Sequence, residues 1–534
     1  MTDAAFDYIV VGAGSAGCAL ASRLSEQARV LLLERGGPDS QPHIHDPAGI
    51  FQAVFVDKTI TPDEYISDAE PGLGNRSIPI QRGIVRGGCS SINGMVYIRG
   101  NPRDYDHWAE LGNIGWSYDD VLPYFKRSER YAEGASTYHG TDGPLHVRRV
   151  PNPSTVASAF IESVAALAAF RDSDSDFDFN GPRQQGGAGF YRVTVTPEGR
   201  RASAAVAFLD PAKNRSTLEV RSNARVRNIV IEHGRAVGVR CRIEGEVQVF
   251  NAGEIILSAG AFESPRLLQL SGIGPAADLK TLGIEPVVDL PGVGQNLHDH
   301  TMMLTYWPAS RPTPASTFIA EAGLFVHSND RSSDSPPDLQ YHFLAGMVGL
   351  AADPRTEPNF LFCPAVCAPH SRGAIRLRSA DPEDRLNIRP NYLACEADVQ
   401  VLLRGIELAF ELAGTTPLSG FRSSQPPFVA VVRDGAPVRA PLPRNDEAEL
   451  RRLVAEAAQT VWHPVGTCKM GPDSDPTAVV DPALHVYGVE GLRVADASIM
   501  PVIPRGNTNA PCIMIGERAA DLIRGTSSPP SLAR

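Results

Sequence analysis

"FDYIVVGAGSAGCALASRLSEQARVLLLE" spans residues 6–34 and decides the fold. The apolar run FDYIVV has the composition of a buried parallel strand, and RVLLLE that of a second one. Between them lies a stretch of helical composition that opens on glycines. Gly12, Gly14 and Gly17 form G-x-G-x-x-G. In a strand–turn–helix, the first glycine permits the tight turn and the second lets backbone approach a pyrophosphate. The third allows close helix–strand packing. Ser15 opens the helix, whose N-terminus would face phosphate charge. Glu34 lies 34 − 12 = 22 positions after Gly12, where a carboxylate can accept a hydrogen bond from an adenosine ribose. Arg35 follows it and counts with the cofactor contacts. The pattern predicts a β-α-β dinucleotide-binding unit and does not choose between NAD and FAD.

With 534 residues, the chain is too long for one ordinary core, so at least two domains are expected. The 43% hydrophobic and 21% charged residues fit a globular protein. A net charge of −11 argues against nucleic-acid binding, which needs a basic face. No apolar run approaches the ~18 residues of a membrane span, and MTDAAFDYIVVGAG lacks the features of a signal peptide. The eight cysteines are scattered, which suits a reducing compartment. These features predict a cytoplasmic protein with no integral membrane segment.

Residues 36–90 read as long loops of the kind that cover a ligand. STVASAFIESVAALAAF (154–170) reads as a helix. TLEVRS, RVRNIVIE, AVGVRCRI, VQVF and EIILSAG, within 217–260, read as a meander of strands. PCIMIGERAADLI (511–523) closes the chain as a helix.

Three further stretches carry a resemblance. RGIVRGGCSSINGMVYIRG (82–100) resembles the first signature of the glucose–methanol–choline (GMC) oxidoreductase family, and GAFESPRLLQLSGIG (260–274) its second. GLRVADASIMPVIPRGNTNAPCIMIGERAADLI (491–523) resembles its C-terminal segment, and HPVGTCKMG (463–471) its catalytic histidine loop. The similarity runs from the first strand to the last helix. It implies FAD rather than NAD and a fold of mixed α/β and α+β class. A discontinuous Rossmann-like FAD-binding domain would comprise 1–155, 210–300 and 455–534. A smaller substrate domain, an antiparallel sheet capped by helices, would comprise 156–209 and 301–454. Gly87, Gly88, Cys89, Ser91, Asn93, Gly94, Met95 and Val96 match positions beside the flavin, where glycines let backbone amides approach. Val226 matches an adenine-side contact, and Asp496 and Ala497 a return strand near the ribityl-pyrophosphate. Some members attach the flavin covalently through a histidine in the first signature. The matching residue here is Ile92, so non-covalent FAD is expected.

The resemblance also gives His463 a role. The family pairs this histidine with a His or Asn about 40–45 positions later, and 507 − 463 = 44 reaches Asn507, followed by Thr508. An alcohol carbon cannot release hydride while its oxygen keeps the proton. An imidazole titrating near ~6.5 suits the base that removes it. The Asn507 amide can donate to the developing alkoxide, and it counts among the flavin contacts as well. The expected activity is oxidation of a small primary alcohol, with electrons passing to a quinone, oxygen or another carrier, and a dehydrogenase is favoured over an oxidase.

Glu321 in STFIAEAGLF matches a substrate-facing Glu of the choline-oxidising branch. Its neighbours Ile319 and Ala320 replace aromatic residues, and no second histidine is found near GLAADPRTEPNF (349–360), so choline is not expected. No metal is expected: DFDFNG (176–181) lacks the closing Glu of a calcium loop, and CPAVCAPH (363–370) lacks a fourth zinc ligand. LHDH (297–300) reads as a hydrogen-bonded loop. Hydroxynitrile lyases and a light-driven fatty-acid decarboxylase share the fold and are the rival activities.

Overall fold

The structure, a computed structural model, describes residues 6–167, 173–183, 186–312, 317–329, 335–346, 358–433 and 435–525. Strand Phe6–Val11 lies in the middle of a parallel sheet. It pairs with Val30–Leu33 on one side and with Ala252–Leu257 on the other. Leu218–Arg221 extends the sheet beyond Val30–Leu33, and Leu492–Val494 adds at the opposite side. Ile9, Val10 and Val11, and Leu31 to Leu33, are at most 4% exposed. That is why Ile9–Val11 and Val30–Leu33 are apolar at consecutive positions rather than at alternate ones.

The stretch expected to be a five-stranded meander is organised differently. TLEVRS is the parallel edge strand of the dinucleotide-binding sheet. VQVF and EIIL belong to one strand, Glu246–Leu257, of 12 residues. Its first half pairs antiparallel with Arg235–Ile243, and its second half runs parallel to Phe6–Val11. Its exposure changes with its partners: the first half is largely exposed, whereas Ile255, Ile256 and Leu257 are fully buried.

A second, antiparallel sheet runs in the order 436–441, 428–433, 305–308, 359–366, 339–344, 322–326, 188–190. Helix Thr155–Ala165 packs on it through Phe160, stacked on Phe343 at 4.5 Å. Helix Glu396–Gly414 covers the same core through Leu402, Ile406 and Ala409. Thr301–Met302 and Gln459–Thr460 pair with each other at its margin. The chain therefore leaves this sheet directly into His463. Residues 36–90 hold only single turns, such as Pro42–His45, Gln52–Val56 and Gly88–Ser91.

The first and last helices, Ser15–Leu24 and Asn509–Arg524, lie side by side and parallel. Ser15 Oγ donates to Asn509 Oδ1 at 2.7 Å at their N-termini, and Arg23 binds Glu517 further along. A Cβ on Gly516 would sit 2.3 Å from the Ala16 carbonyl oxygen, so only glycine allows this approach. Gly516→Ala is expected to destabilise the protein by about 1–3 kcal/mol and to lower its flavin content. Denaturant unfolding with a flavin-to-protein absorbance ratio checks both; an unchanged midpoint would show that the helices can separate freely.

Candidate active site

The glycine turn folds as its spacing requires. Gly12 has φ +102°, and a Cβ there would lie 2.5 Å from Ser258 O; a Cβ on Gly17 would lie 1.9 Å from Gly12 O. A Cβ on Gly14 meets nothing closer than 4.0 Å, so the Cβ side of its backbone is open to a ligand. Glu34 is buried just beyond its strand. It accepts from Ala13 N at 2.8 Å and Gly36 N at 2.7 Å, and burial raises its pKa. Arg35 turns to Glu64, Tyr65 and Glu263. Helices Ser15–Leu24 and Asn509–Arg524 have neither a side-chain cap nor an acidic residue in the first turn. Two sets of free first-turn amides thus meet at one point, a site suited to a pyrophosphate.

The loop after Val85 closes over this turn. Gly87 N donates to Ala13 O at 2.8 Å, and a Cβ on Gly88 would lie 2.8 Å from Gly14 Cα. Gly87 and Gly88 have φ +89° and +54°, and Met95 has φ +61°. Ser91 Oγ donates to Arg86 O, and Cys89 Sγ accepts from Gly83 N. A Cβ on Gly94 would press on Ile319, and Val96 bridges to Val193. Arg201, which carries no motif, holds the loop from beneath. Its Nη1 donates to Asn93 O (2.6 Å) and Asn93 Oδ1 (3.0 Å), and burial pushes its pKa down to about 9. Ile92 is buried among Ile44, Val54, Ile60 and Val85.

Asp496 accepts from Gly260 N, Ser264 Oγ, Ser498 N and Ser498 Oγ. Its carboxylate therefore ties the second signature to the return strand, and the Ala497 carbonyl accepts from Gly466 N in the histidine loop. Val226 sits half-buried at a bulge in the meander. Thr508, directly after Asn507, occupies the position before the last helix without a side-chain hydrogen bond to its first turn.

His463 is held by its backbone and by both ring nitrogens. Its N–H donates to Asp299 Oδ1 at 2.7 Å. The preceding Trp462 has φ +63°, a left-handed conformation that costs about 1–3 kcal/mol for a bulky residue. Thr460 Oγ1 accepts from Trp462 N (2.6 Å) and donates to Asp299, and Arg82 and Gln81 grip the Trp462 carbonyl and indole. Asn507 Nδ2 lies 3.2 Å from His463 Nε2, and His300 Nδ1 lies 3.0 Å from His463 Nδ1. His463 and His300 meet because Thr301 and Thr460 are paired across adjacent strands. LHDH is thus part of the site. The expected hydrogen-bonded loop is present, but its contact with His463 is not legible locally, because His300 and His463 are 463 − 300 = 163 positions apart and only the pairing joins them.

Glu321 is buried at the edge of this region. Its Oε2 accepts from Ser154 N (3.1 Å) and Ser154 Oγ (2.5 Å), which anchors the helix that Ser154 caps. Most of 349–360 lies outside the described residues. Asp178 of the calcium-like stretch binds His139 and Arg192, and His370 of the zinc-like stretch turns to Asp398.

Sequence models of the GMC oxidoreductase family match residues 6–302 and 369–516. The chain belongs to this family. This GMC oxidoreductase is 41% identical over 547 residues to the oxygen-dependent choline dehydrogenase of Sinorhizobium fredii (strain NBRC 101917 / NGR234), covering 97% of the chain and 95% of the relative. It is 40% identical to that of Rhizobium rhizogenes, over 99% of the chain and 96% of the relative. Its fold matches pyridoxine 4-oxidase from Mesorbium loti with a TM-score of 0.87 and 30% identity, covering 97% and 99% of the two chains. A formate oxidase variant from Aspergillus oryzae RIB40, studied for FAD modification, matches with a TM-score of 0.85 and 25% identity, over 99% of each chain. The cofactor is FAD, and the two uncapped helix ends and the glycine cradle fit it. No described helix is long and apolar enough to cross a membrane.

His298, His300, His342 and His463 are all buried, and burial depresses each pKa, to about 3 for His300 and about 4 for His342. In the unfolded chain they titrate near ~6.5. Their contribution to stability is therefore complete above that pH and is lost as pH falls towards the folded values. Each histidine adds a slope of about 1.4 kcal/mol per pH unit within that window. Unfolding midpoints should fall steadily from pH 7 to pH 4.5, and His342→Gln should flatten the slope by one histidine's share. An unchanged slope in that variant would contradict a neutral buried His342.

Proposed function

We propose that this GMC oxidoreductase oxidises a primary alcohol to the aldehyde, with His463 as base and Asn507 as the group that polarises the oxygen. The convergence of Asn507 Nδ2 and His463 Nε2, 3.2 Å apart, supports this reading. A hydroxyl placed between them gives its proton to Nε2 while its oxygen accepts from the amide. FAD, when bound, accepts the hydride. Burial keeps His463 neutral, so it is ready to take a proton without first losing one. The backbone grip of Asp299, Thr460 and Arg82 fixes the ring, so little orientation is lost at the moment of transfer.

The substrate we infer is a neutral primary alcohol. The relatives' name makes choline the first comparator. Here Ile319 and Ala320 supply no aromatic surface for a quaternary ammonium group, and Glu321 Oε2 is engaged by Ser154. Ile92 supports non-covalent attachment. Acid precipitation should release all the flavin into the supernatant, and yellow colour retained in the pellet would overturn this.

Anaerobic titration of the yellow protein with choline and neutral alcohols tests the activity. Bleaching by one class names the substrate, and re-admission of air tells oxygen from a quinone or other carrier as acceptor. A band that no alcohol bleaches moves the lyase reading ahead. His463→Ala should slow flavin reduction about 10²-fold or more with FAD retained. In the intact enzyme kcat/KM should be flat above pH ~6.5 and fall only in more acid solution, because burial and the neighbouring His300 and His342 lower the His463 pKa. A rising limb centred at neutral pH or above would rule out this base.

A further inference from the structure

We propose that His300 is a positioning residue that keeps the single proton of neutral His463 on Nδ1 and so leaves Nε2 unprotonated. The inference rests on the base role proposed for His463. Two imidazole Nδ1 atoms 3.0 Å apart share one hydrogen, so one ring donates and the other accepts. The amide nitrogen of Asn507 can only donate, and it faces His463 Nε2 at 3.2 Å. Nε2 is therefore the acceptor, the His463 proton sits on Nδ1, and His300 accepts it through its own Nδ1. The proton of His300 is then on Nε2, a buried atom, and the Cys367 backbone lies beside the His300 ring as its hydrogen-bonding neighbour.

This arrangement requires a neutral His300, and burial lowers its pKa to about 3. The rings meet edge-on at 90°, with centroids 5.2 Å apart, which aims one lone pair at one N–H. When the substrate's proton moves to Nε2, His463 becomes a cation whose Nδ1–H already has an acceptor. The charged and titratable groups around the pair are Arg82, His298, Asp299, His342 and Arg505. Asp299 takes the His463 backbone amide, Thr460 and Tyr392, so His300 Nδ1 is left to accept from the ring Nδ1–H.

The test compares His300→Leu, which removes the acceptor, with His300→Asn, whose side-chain oxygen falls near the Nδ1 position. In FAD-loaded protein labelled with 15N-histidine, the resonances lost in His463→Ala should show a protonated Nδ1 and an unprotonated Nε2. Leu should slow flavin reduction by the best alcohol about 10²-fold, with KM changed far less and the flavin spectrum intact. Asn should restore most of the rate. A wild-type His463 protonated at Nε2 overturns the proposal. So do a Leu variant of normal rate and an Asn variant as impaired as Leu. If no alcohol reduces the wild-type flavin, the base role fails instead, and the nitrogen resonances alone decide where the proton lies.

Discussion

Everything in the site depends on the meeting of two uncapped helix N-termini. Helices Ser15–Leu24 and Asn509–Arg524 come from opposite ends of the chain, yet Ser15 and Asn509 share a hydrogen bond of 2.7 Å. Their first-turn amides have no side-chain acceptor, and parallel dipoles reinforce at the shared end. Left alone, two like partial charges would repel. The close approach at Gly516 and the Glu517 carboxylate between Arg23 and Arg127 hold the pair together. Asn507 and Thr508 immediately precede the second helix, so the constraint that builds the cofactor cradle also sets the position of the Asn507 amide.

The catalytic loop follows a different principle. His463 lies among neutral imidazoles rather than beside a carboxylate. Asp299 is only one residue from His300, but it spends its oxygens on the His463 amide, Thr460 and Tyr392, and burial raises its own pKa to about 6. A carboxylate on the ring would stabilise imidazolium in the resting state, whereas a neutral partner leaves the base free. The cost is carried by the backbone: Trp462 adopts φ +63°, and three separate side chains, Thr460, Arg82 and Gln81, keep it there. Strain confined to one residue, over-determined by its surroundings, is how a fixed ring orientation is maintained.

Much of the fold was legible locally. The G-x-G-x-x-G turn, its flanking strands and Glu34 lie within 29 consecutive residues, where spacing and geometry are tightly linked. The flavin loop and the 44-residue spacing from His463 to Asn507 were legible through resemblance, since nothing in their composition states a role. The meander was partly misread because strand Glu246–Leu257 changes partners midway, and a local pattern cannot tell one long strand from two short ones. Arg201 and His300 had no motif at all. Arg201 supports Asn93 from 201 − 93 = 108 positions away, and His300 reaches His463 through a strand pair.

The sequence by itself determined the nucleotide-binding turn, through side-chain chemistry and short-range spacing, and, through resemblance, the family and the pairing of His463 with Asn507. Only the tertiary structure decided the electrostatic state of the base. The depressed pKa of His463 arises from burial and from His300, just before strand Thr301–Met302, and His342, in strand Leu339–Leu344. Desolvation is a property of the packed volume around a group, and no window of sequence around that group contains it.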